Sequence, residues 1–242
     1  MTASGTSSSA SRTTTHPTVV AIDGPSGSGK STVARAVATE LGVGFLDTGA
    51  MYRALTWWCL ELGIALDDAA AVAGAAERLD LEVGTDPAAP WVRAGGHDVS
   101  AAIRETRIST AVSSVATNLR VRATMRSRQR AIIAECSERT GGCVVEGRDI
   151  TTVVAPDADV RVLLTASEDA RLARRTLELH GGTDAASLAA TRDQIVRRDR
   201  DDSTVSQFVT ASDGVVTVDT SGLDLGGSIA AVLAVVHEHA PV

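Results

Sequence analysis

The densest chemistry in this chain lies in Gly24, Pro25, Ser26, Gly27, Ser28, Gly29, Lys30 and Ser31, followed by Thr32. These eight residues fit the phosphate-binding pattern G-x-x-x-x-G-K-[ST]. Each part of it has a physical job. Gly27 and Gly29 let backbone N–H groups turn into a concave nest without a Cβ in the way, and the helix that follows adds its positive end. Lys30 offers a compact ammonium to the β- and γ-phosphates of a nucleoside triphosphate. Ser31 offers a hydroxyl to Mg²⁺. Lys30 is the only lysine among 23 basic residues, the rest being arginine. A cradle lined by N–H groups admits a point charge on a flexible stem more readily than a planar fork. The loop alone specifies a nucleoside triphosphate and leaves the second substrate open.

Arginines stand at several loop and helix-end positions: Arg53, Arg122, Arg148, Arg197, Arg198 and Arg200. Arginine pairs bidentately with phosphate, and several around a P-loop suit phosphoryl transfer between two anions. A solvated helix face is the alternative for any single one. A GTPase would need N-K-x-D for guanine, which a chain with its one lysine in the glycine loop cannot supply. A motor ATPase would place an acid at the end of a strand beside the loop. The nearest candidate, "VVEGRD", carries its Asp149 beyond the strand. Two roles are open for Asp47: the outer sphere of Mg²⁺, or a helix N-cap.

The elements that must hold these residues alternate. "TVVAID" (18–23) is a β-rich apolar run, read as a buried strand. After the glycines, Val33, Ala36, Val37 and Leu41 share a helical face that Gly42 ends. A second helix is expected over 50–62. Residues 79–99 break into short β-like pieces separated by Gly, Asp and Pro, a small antiparallel insert. One long helix with an Arg-rich second half follows. "GGCVVEGRD" and "DVRVLLTAS" are further strands. "SEDARLARRTLELHGG" is a helix with Ser167 as N-cap and a glycine stop. A charged helix, the strand "GVVTVDTS" and a last helix complete the chain. Strand–helix alternation predicts an α/β fold, a parallel sheet flanked by helices.

Composition narrows the classes. The chain has 242 residues, 44% of them hydrophobic but only 2% aromatic, so its core is aliphatic. The net charge of −7 disfavours a nucleic-acid polymer as partner. Cys59, Cys136 and Cys143 show no C-x-x-C spacing and fit a reducing compartment, hence the cytoplasm. No apolar run is long enough to span a membrane. Residues 1–17 lack an apolar segment and read as a disordered, solvated tail. His16, His97, His180, His237 and His239 form no metal spacing and are read as surface residues.

Four stretches, "IDGPSGSGKST", "FLDTGAMYRAL", "EGRDITTVVAPDADV" and "RRDRDDS", in this order and spacing resemble the bacterial cytidylate (CMP) kinases. The resemblance runs from Thr18 to the C-terminus and includes the insert ending "GGHDVSAAIRE". It implies a P-loop nucleoside-monophosphate kinase fold over 18–242, with a nucleoside-monophosphate-binding insert about 63–105 and a short helical lid about 170–200. It implies transfer of the γ-phosphate of MgATP to CMP or dCMP by a monomer. By resemblance Thr48, Arg53 and Arg148 hold the CMP phosphate, and Ser113, Arg122 and Asp149 read the cytosine edge. Arg198 and Asp202 contact sugar and phosphate, and Lys30, Arg148 and Arg198 are the catalytic cations. The cytosine set is chemically sound: a carboxylate and a hydroxyl accept from the 4-amino group, and an arginine donates to N3 and O2. The sequence departs from the family pattern at Val205, where R-D-x-x-D-x-x-R expects arginine, and at Thr151, where glycine is common. Arg200 is one candidate replacement for the missing arginine. A kinase for UMP or a small alcohol, and a nucleotide-binding protein without turnover, are the alternatives at this stage.

Overall fold

The computed structural model describes residues 17–180 and 185–240. The expected tail and the glycine stop after His180 lie essentially outside them. Five parallel strands form the central sheet: β1 (Thr18–Asp23), β2 (Gly44–Asp47), β6 (Gly142–Gly147), β7 (Val160–Thr165) and β8 (Val216–Asp219), in the order β2-β6-β1-β7-β8. β1 pairs in register with β6 from Thr18 opposite Gly142 to Asp23 opposite Gly147. The chain departs from β1 toward one side, then returns to build the other. The C-terminal ends of β1 and β6 therefore flank the point where strand order reverses, the place where such sheets bind ligands.

Alternation along the strands separates two cores. Val20 and Ile22 of β1, Val144 of β6 and Val162 and Leu164 of β7 pack beneath α1 (Lys30–Leu41) and α8 (Leu225–His239). Ala21, Cys143 and Val145 face the opposite way, toward α2 (Thr48–Glu61), α3 (Ala69–Arg78) and α5 (Leu119–Thr140). With both faces covered, a strand reads as a continuous apolar run, which is why "TVVAID" was recognisable. Gly42 ends α1 in the left-handed conformation, as its position predicted.

The insert carries an antiparallel sheet of β3 (Leu81–Val83), β4 (Val92–Ala94) and β5 (His97–Asp98). Three expectations change. The strand β2 and the alanine-rich helix α3 were not foreseen. β2 is only four residues long, and α3 is too uniform in composition to show periodicity. The single long helix is two, α4 (Thr106–Ala116) and α5, broken at Thr117–Asn118. The Asn118 side chain accepts from the N–H groups of Arg120 (3.0 Å) and Val121 (3.3 Å) and so starts a new helix. α6 (Glu168–His180) and α7 (Ala185–Asp202) pack against each other, with the Ser167 hydroxyl accepting from Ala170 N at 3.3 Å. Among the described residues no helix is long and apolar enough to cross a membrane.

Candidate active site

The P-loop leaves β1 at Asp23 and enters α1 at Lys30. Gly27 and Gly29 adopt φ of 76° and 86°, and Gly29 is the N-cap of α1. A Cβ on Gly27 would lie 2.6 Å from the carbonyl oxygen of Arg171, so the loop also needs glycine for the close approach of α6. The Lys30 ammonium curls back to the Pro25 carbonyl at 3.2 Å. Burial, and the positive charge of Arg148, pull Lys30 down to about 8, so it remains cationic at neutral pH. The Ser31 hydroxyl donates to Glu146 Oε1 at 2.6 Å.

Glu146 is the penultimate residue of β6, beside the loop, and is 3% exposed. Sequence reasoning passed it over in favour of Asp149. The available signal was its place as the acidic residue at the end of a buried strand. Burial pushes its carboxyl up to about 7, the charge of Asp47 adding to this and Lys30 opposing it. Asp47 is the N-cap of α2, accepting from Ala50 N at 2.8 Å, and it pairs with Arg53 Nη2 at 2.9 Å. Burial works against its charge, yet Arg53 and the Ala50 N–H hold it below the usual carboxylate range. Of the two roles open for Asp47, the N-cap is realised. The Thr48 hydroxyl donates to the Glu146 carbonyl at 2.7 Å.

After β6 the chain makes a tight turn that presents Arg148 and Asp149. Asp23 fixes this turn from below. Its carboxylate accepts from Ile150 N (2.8 Å), Thr151 N (2.8 Å) and the Thr151 hydroxyl (2.7 Å). The unusual Thr151 therefore supplies a donor that glycine cannot. Arg122 Nη2, from the start of α5, meets Asp149 Oδ2 at 2.5 Å and Ser206 Oγ at 2.9 Å, and its Nη1 donates to the Ala116 carbonyl at 3.1 Å. Burial raises Asp149 although Arg122 counters it. Ser113, expected beside Asp149, instead donates to Asp202 Oδ1 at 3.1 Å.

Helical spacing sorts the basic end of α7. Ile195, Arg198, Asp199 and Asp202 face inward, whereas the Arg200 side chain is 76% exposed and pairs with Asp201 at 3.3 Å. Arg200 does not replace the arginine missing at Val205. Arg148 reaches Asp199 Oδ1 (3.0 Å) and Asp202 Oδ2 (3.2 Å), and its guanidinium carbon lies 4.3 Å from the centre of the Phe208 ring. Arg198 Nε is 3.7 Å from Asp202 Oδ2, and burial together with Arg148 pulls Arg198 down to about 10. Arg148 Nη2 and Arg198 Nε are buried and meet Asp202 Oδ2 as ion pairs without well-formed hydrogen bonds. Two buried guanidiniums that share one carboxylate oxygen keep positive charge to spare, and a cationic pair calls for an anion.

Lys30, Ser31, Arg53, Arg122, Asp149 and Arg198 all open into one cavity of about 590 Å³ between the P-loop and the insert. Thr32, Thr48, Arg148 and Asp202 line it too, with Arg104 as a further cation. The cytidylate kinase family profile matches residues 20–238. The chain belongs to the cytidylate kinase family. It is 44% identical over 221 residues to "Cytidylate kinase" of Streptomyces avermitilis, covering 91% of this chain and 93% of that one. With the protein of the same name from Cutibacterium acnes it shares 47% over 223 residues, covering 90% and 96%. A "Bifunctional pantoate ligase/cytidylate kinase" of Synechococcus sp. is 45% identical over 207 residues, which make up 83% of this chain and 40% of that longer one.

For a cytidylate kinase family chain, the segment after α7 is the instructive departure. Where the family pattern puts an arginine, this chain has Val205, then Ser206 against Arg122 and the fully buried Phe208 beneath Arg148. The segment supports the remaining two arginines instead of adding a third.

Proposed function

We propose that this chain transfers the γ-phosphate of ATP to CMP or dCMP, giving ADP and CDP or dCDP, in the cytoplasm. The observation that carries this is the shared cavity. At one end stands the P-loop with Lys30, at the other the Arg122–Asp149 pair, and between them the buried cations Arg148 and Arg198, which share the Asp202 carboxylate. The triphosphate lies along residues 24–32. Asp149 accepts from the cytosine 4-amino group and Arg122 donates to the ring acceptors. Arg53, Arg148 and Arg198 hold the monophosphate. Asp202 receives the sugar, held in place by Ser113.

Ser31 and Glu146 present hard oxygen donors 2.6 Å apart beside the P-loop, a set that suits Mg²⁺. They would hold the ion, which when bound neutralises charge on the β- and γ-phosphates. Few protein ligands are needed, because substrate phosphates and water complete such a site.

A phosphate oxygen of CMP attacks the γ-phosphorus in line. As that P–O bond forms, the bond from γ-phosphorus to the β,γ-bridging oxygen breaks and ADP leaves with the electron pair. The monophosphate is already a nucleophile, so no general base is required. The chain supplies alignment and positive charge from Lys30, Arg148 and Arg198. The test is ADP release with MgATP against CMP, dCMP, UMP and AMP in parallel. Turnover confined to CMP and dCMP is expected. Equal turnover of UMP would overturn the base assignment, and no turnover of any would overturn the kinase reading.

A further inference from the structure

We propose that Asp199 is a positioning residue for phosphoryl transfer, its single carboxylate tying both the lid helix α6 and Arg148 to the P-loop. The inference rests on the kinase reading above. Three donors from segments far apart in sequence converge on this side chain. Ser26 N reaches Oδ1 at 3.0 Å, Arg148 Nη1 reaches the same oxygen at 3.0 Å, and Arg171 Nη1 reaches Oδ2 at 2.5 Å. The same Arg171 nitrogen also donates to the Ser26 carbonyl at 3.0 Å. Asp199 thus joins the P-loop, the turn after β6 and α6, with its side chain 16% exposed.

The chemistry requires a carboxylate there. All three partners are donors, and they use both oxygens. An asparagine would offer one acceptor and two donors, so one side of the site would face donor against donor. Two guanidiniums on one carboxylate are also oriented by it, since each is a planar fork with fixed directions. Arg148 Nη1 also donates to the Gly24 carbonyl at 3.2 Å, and Arg148 keeps Asp202 and Phe208 as other neighbours, so loss of Asp199 leaves it present but differently aimed. Arg171 is not aimed at substrate; it docks α6 onto the loop.

The expected signature separates positioning from simple structural support. Asp199 is an anion close to the triphosphate's cradle, so removing its charge does not weaken ground-state ATP binding. Misaimed guanidiniums lower the rate of the chemical step instead. The experiment uses the full chain and measures ADP release with MgATP and CMP. For Asp199→Asn, kcat is expected to fall roughly 10- to 100-fold, with the KM for ATP unchanged or lower. Asp199→Glu is expected to recover at least about threefold of that loss, because the charge is retained. A kcat within about threefold of wild type, or a KM for ATP that rises as much as kcat falls, would overturn the proposal.

Arg171→Gln breaks the same tie from the other side and serves if the Asp199 variant fails to fold. It should show the same split, and the double variant should lose little more than either single one; full additivity would count against a shared tie. Wild-type turnover of CMP tests the kinase reading separately. Hydrogen exchange in the nucleotide-free protein needs no substrate at all. Amides of 168–176 should exchange about tenfold faster in Asp199→Asn, and unchanged exchange would refute the tie whatever the enzyme's substrate.

Discussion

Replacing Thr151 by valine removes one hydroxyl and almost no volume, and its cost should depend on pH in a direction the structure dictates. Asp23 is 1% exposed and Thr151 3%. The carboxylate there is met by two N–H groups and the Thr151 hydroxyl, the last at 2.7 Å. Burial outweighs these donors and raises Asp23 from 3.8 to about 6. Between those two values the folded state binds more protons than the unfolded one, so this group makes stability fall as pH rises through that window. The Thr151 hydroxyl lowers the folded value; without it the value rises further and the penalty at neutral pH grows. A hydrogen bond to a charged group is worth about 1.5–3 kcal/mol and one to a neutral group about 0.5–1.5 kcal/mol. Thr151→Val should therefore cost about 2 kcal/mol at about pH 7.5, where Asp23 is ionised, and about 1 kcal/mol at about pH 5, where it is protonated. For a domain of this size the corresponding falls in Tm are about 4–8 °C and about 2–4 °C. Thermal unfolding of both proteins by circular dichroism at the two pH values measures the difference. A Tm loss that is equal at both, or larger at the lower pH, would refute the reasoning.

Other consequences are equally concrete. Lys30→Ala should reduce kcat by at least about 100-fold, the loss of one charge-stabilising donor; retention of a tenth of wild-type turnover would remove Lys30 from its assigned role. Asp149→Asn should lower kcat/KM for CMP by about 10- to 100-fold and raise the ratio of UMP to CMP turnover, since an amide can donate to a 4-carbonyl; an unchanged ratio would move base recognition elsewhere. Phe208→Leu removes the ring 4.3 Å from the Arg148 guanidinium; it should slow turnover several-fold and cost about 1 kcal/mol or more in unfolding free energy. The profile of kcat/KM for MgATP should rise as Glu146 ionises near 7 and fall as Lys30 loses its proton near 8. Glu146→Gln should abolish the acid limb, and a limb that persists would assign it to the nucleotide.

The parts of the site legible in the sequence were those where one residue type has one use. The P-loop glycines need left-handed φ, and Lys30 needs a narrow cradle, so both stood out along the chain. The strands of the sheet stood out because burial on both faces forces unbroken apolar runs. What stayed hidden was pairing. Ser113 and Arg122 sit nine positions apart, and a continuous helix would have placed them by simple periodicity. The Asn118 cap instead sends Ser113 to Asp202 and Arg122 to Asp149. Glu146, Asp199 and Asp23 were missed for a related reason. Each acts on backbone or on another side chain far away, and nothing local to an aspartate or glutamate reveals its partner.

The same pairing explains how an acidic chain maintains a cationic pocket. Arg53 is countered by Asp47, Arg122 by Asp149, Arg171 by Asp199, and Arg148 by Asp199 and Asp202. Guanidiniums left unpaired in a cavity would repel one another and lose hydration, a cost that ion pairs offset and that also fixes their planes. Arg148 Nη2 and Arg198 Nε share one counter-ion oxygen, Asp202 Oδ2, at 3.2 and 3.7 Å, and both are buried. One carboxylate oxygen between two guanidiniums leaves positive charge uncompensated, so an arriving phosphate gains charge-assisted hydrogen bonds there in competition with Asp202 alone. A third arginine at position 205 would have needed its own counter-ion. Ser206 and Phe208 instead steady the cations already there, so adding an arginine by Val205→Arg should raise affinity for CMP by less than about tenfold, a single exposed ion pair being worth at most about 1 kcal/mol. A fall of several hundredfold in the KM for CMP would show that the site lacks a cation rather than having redistributed its support.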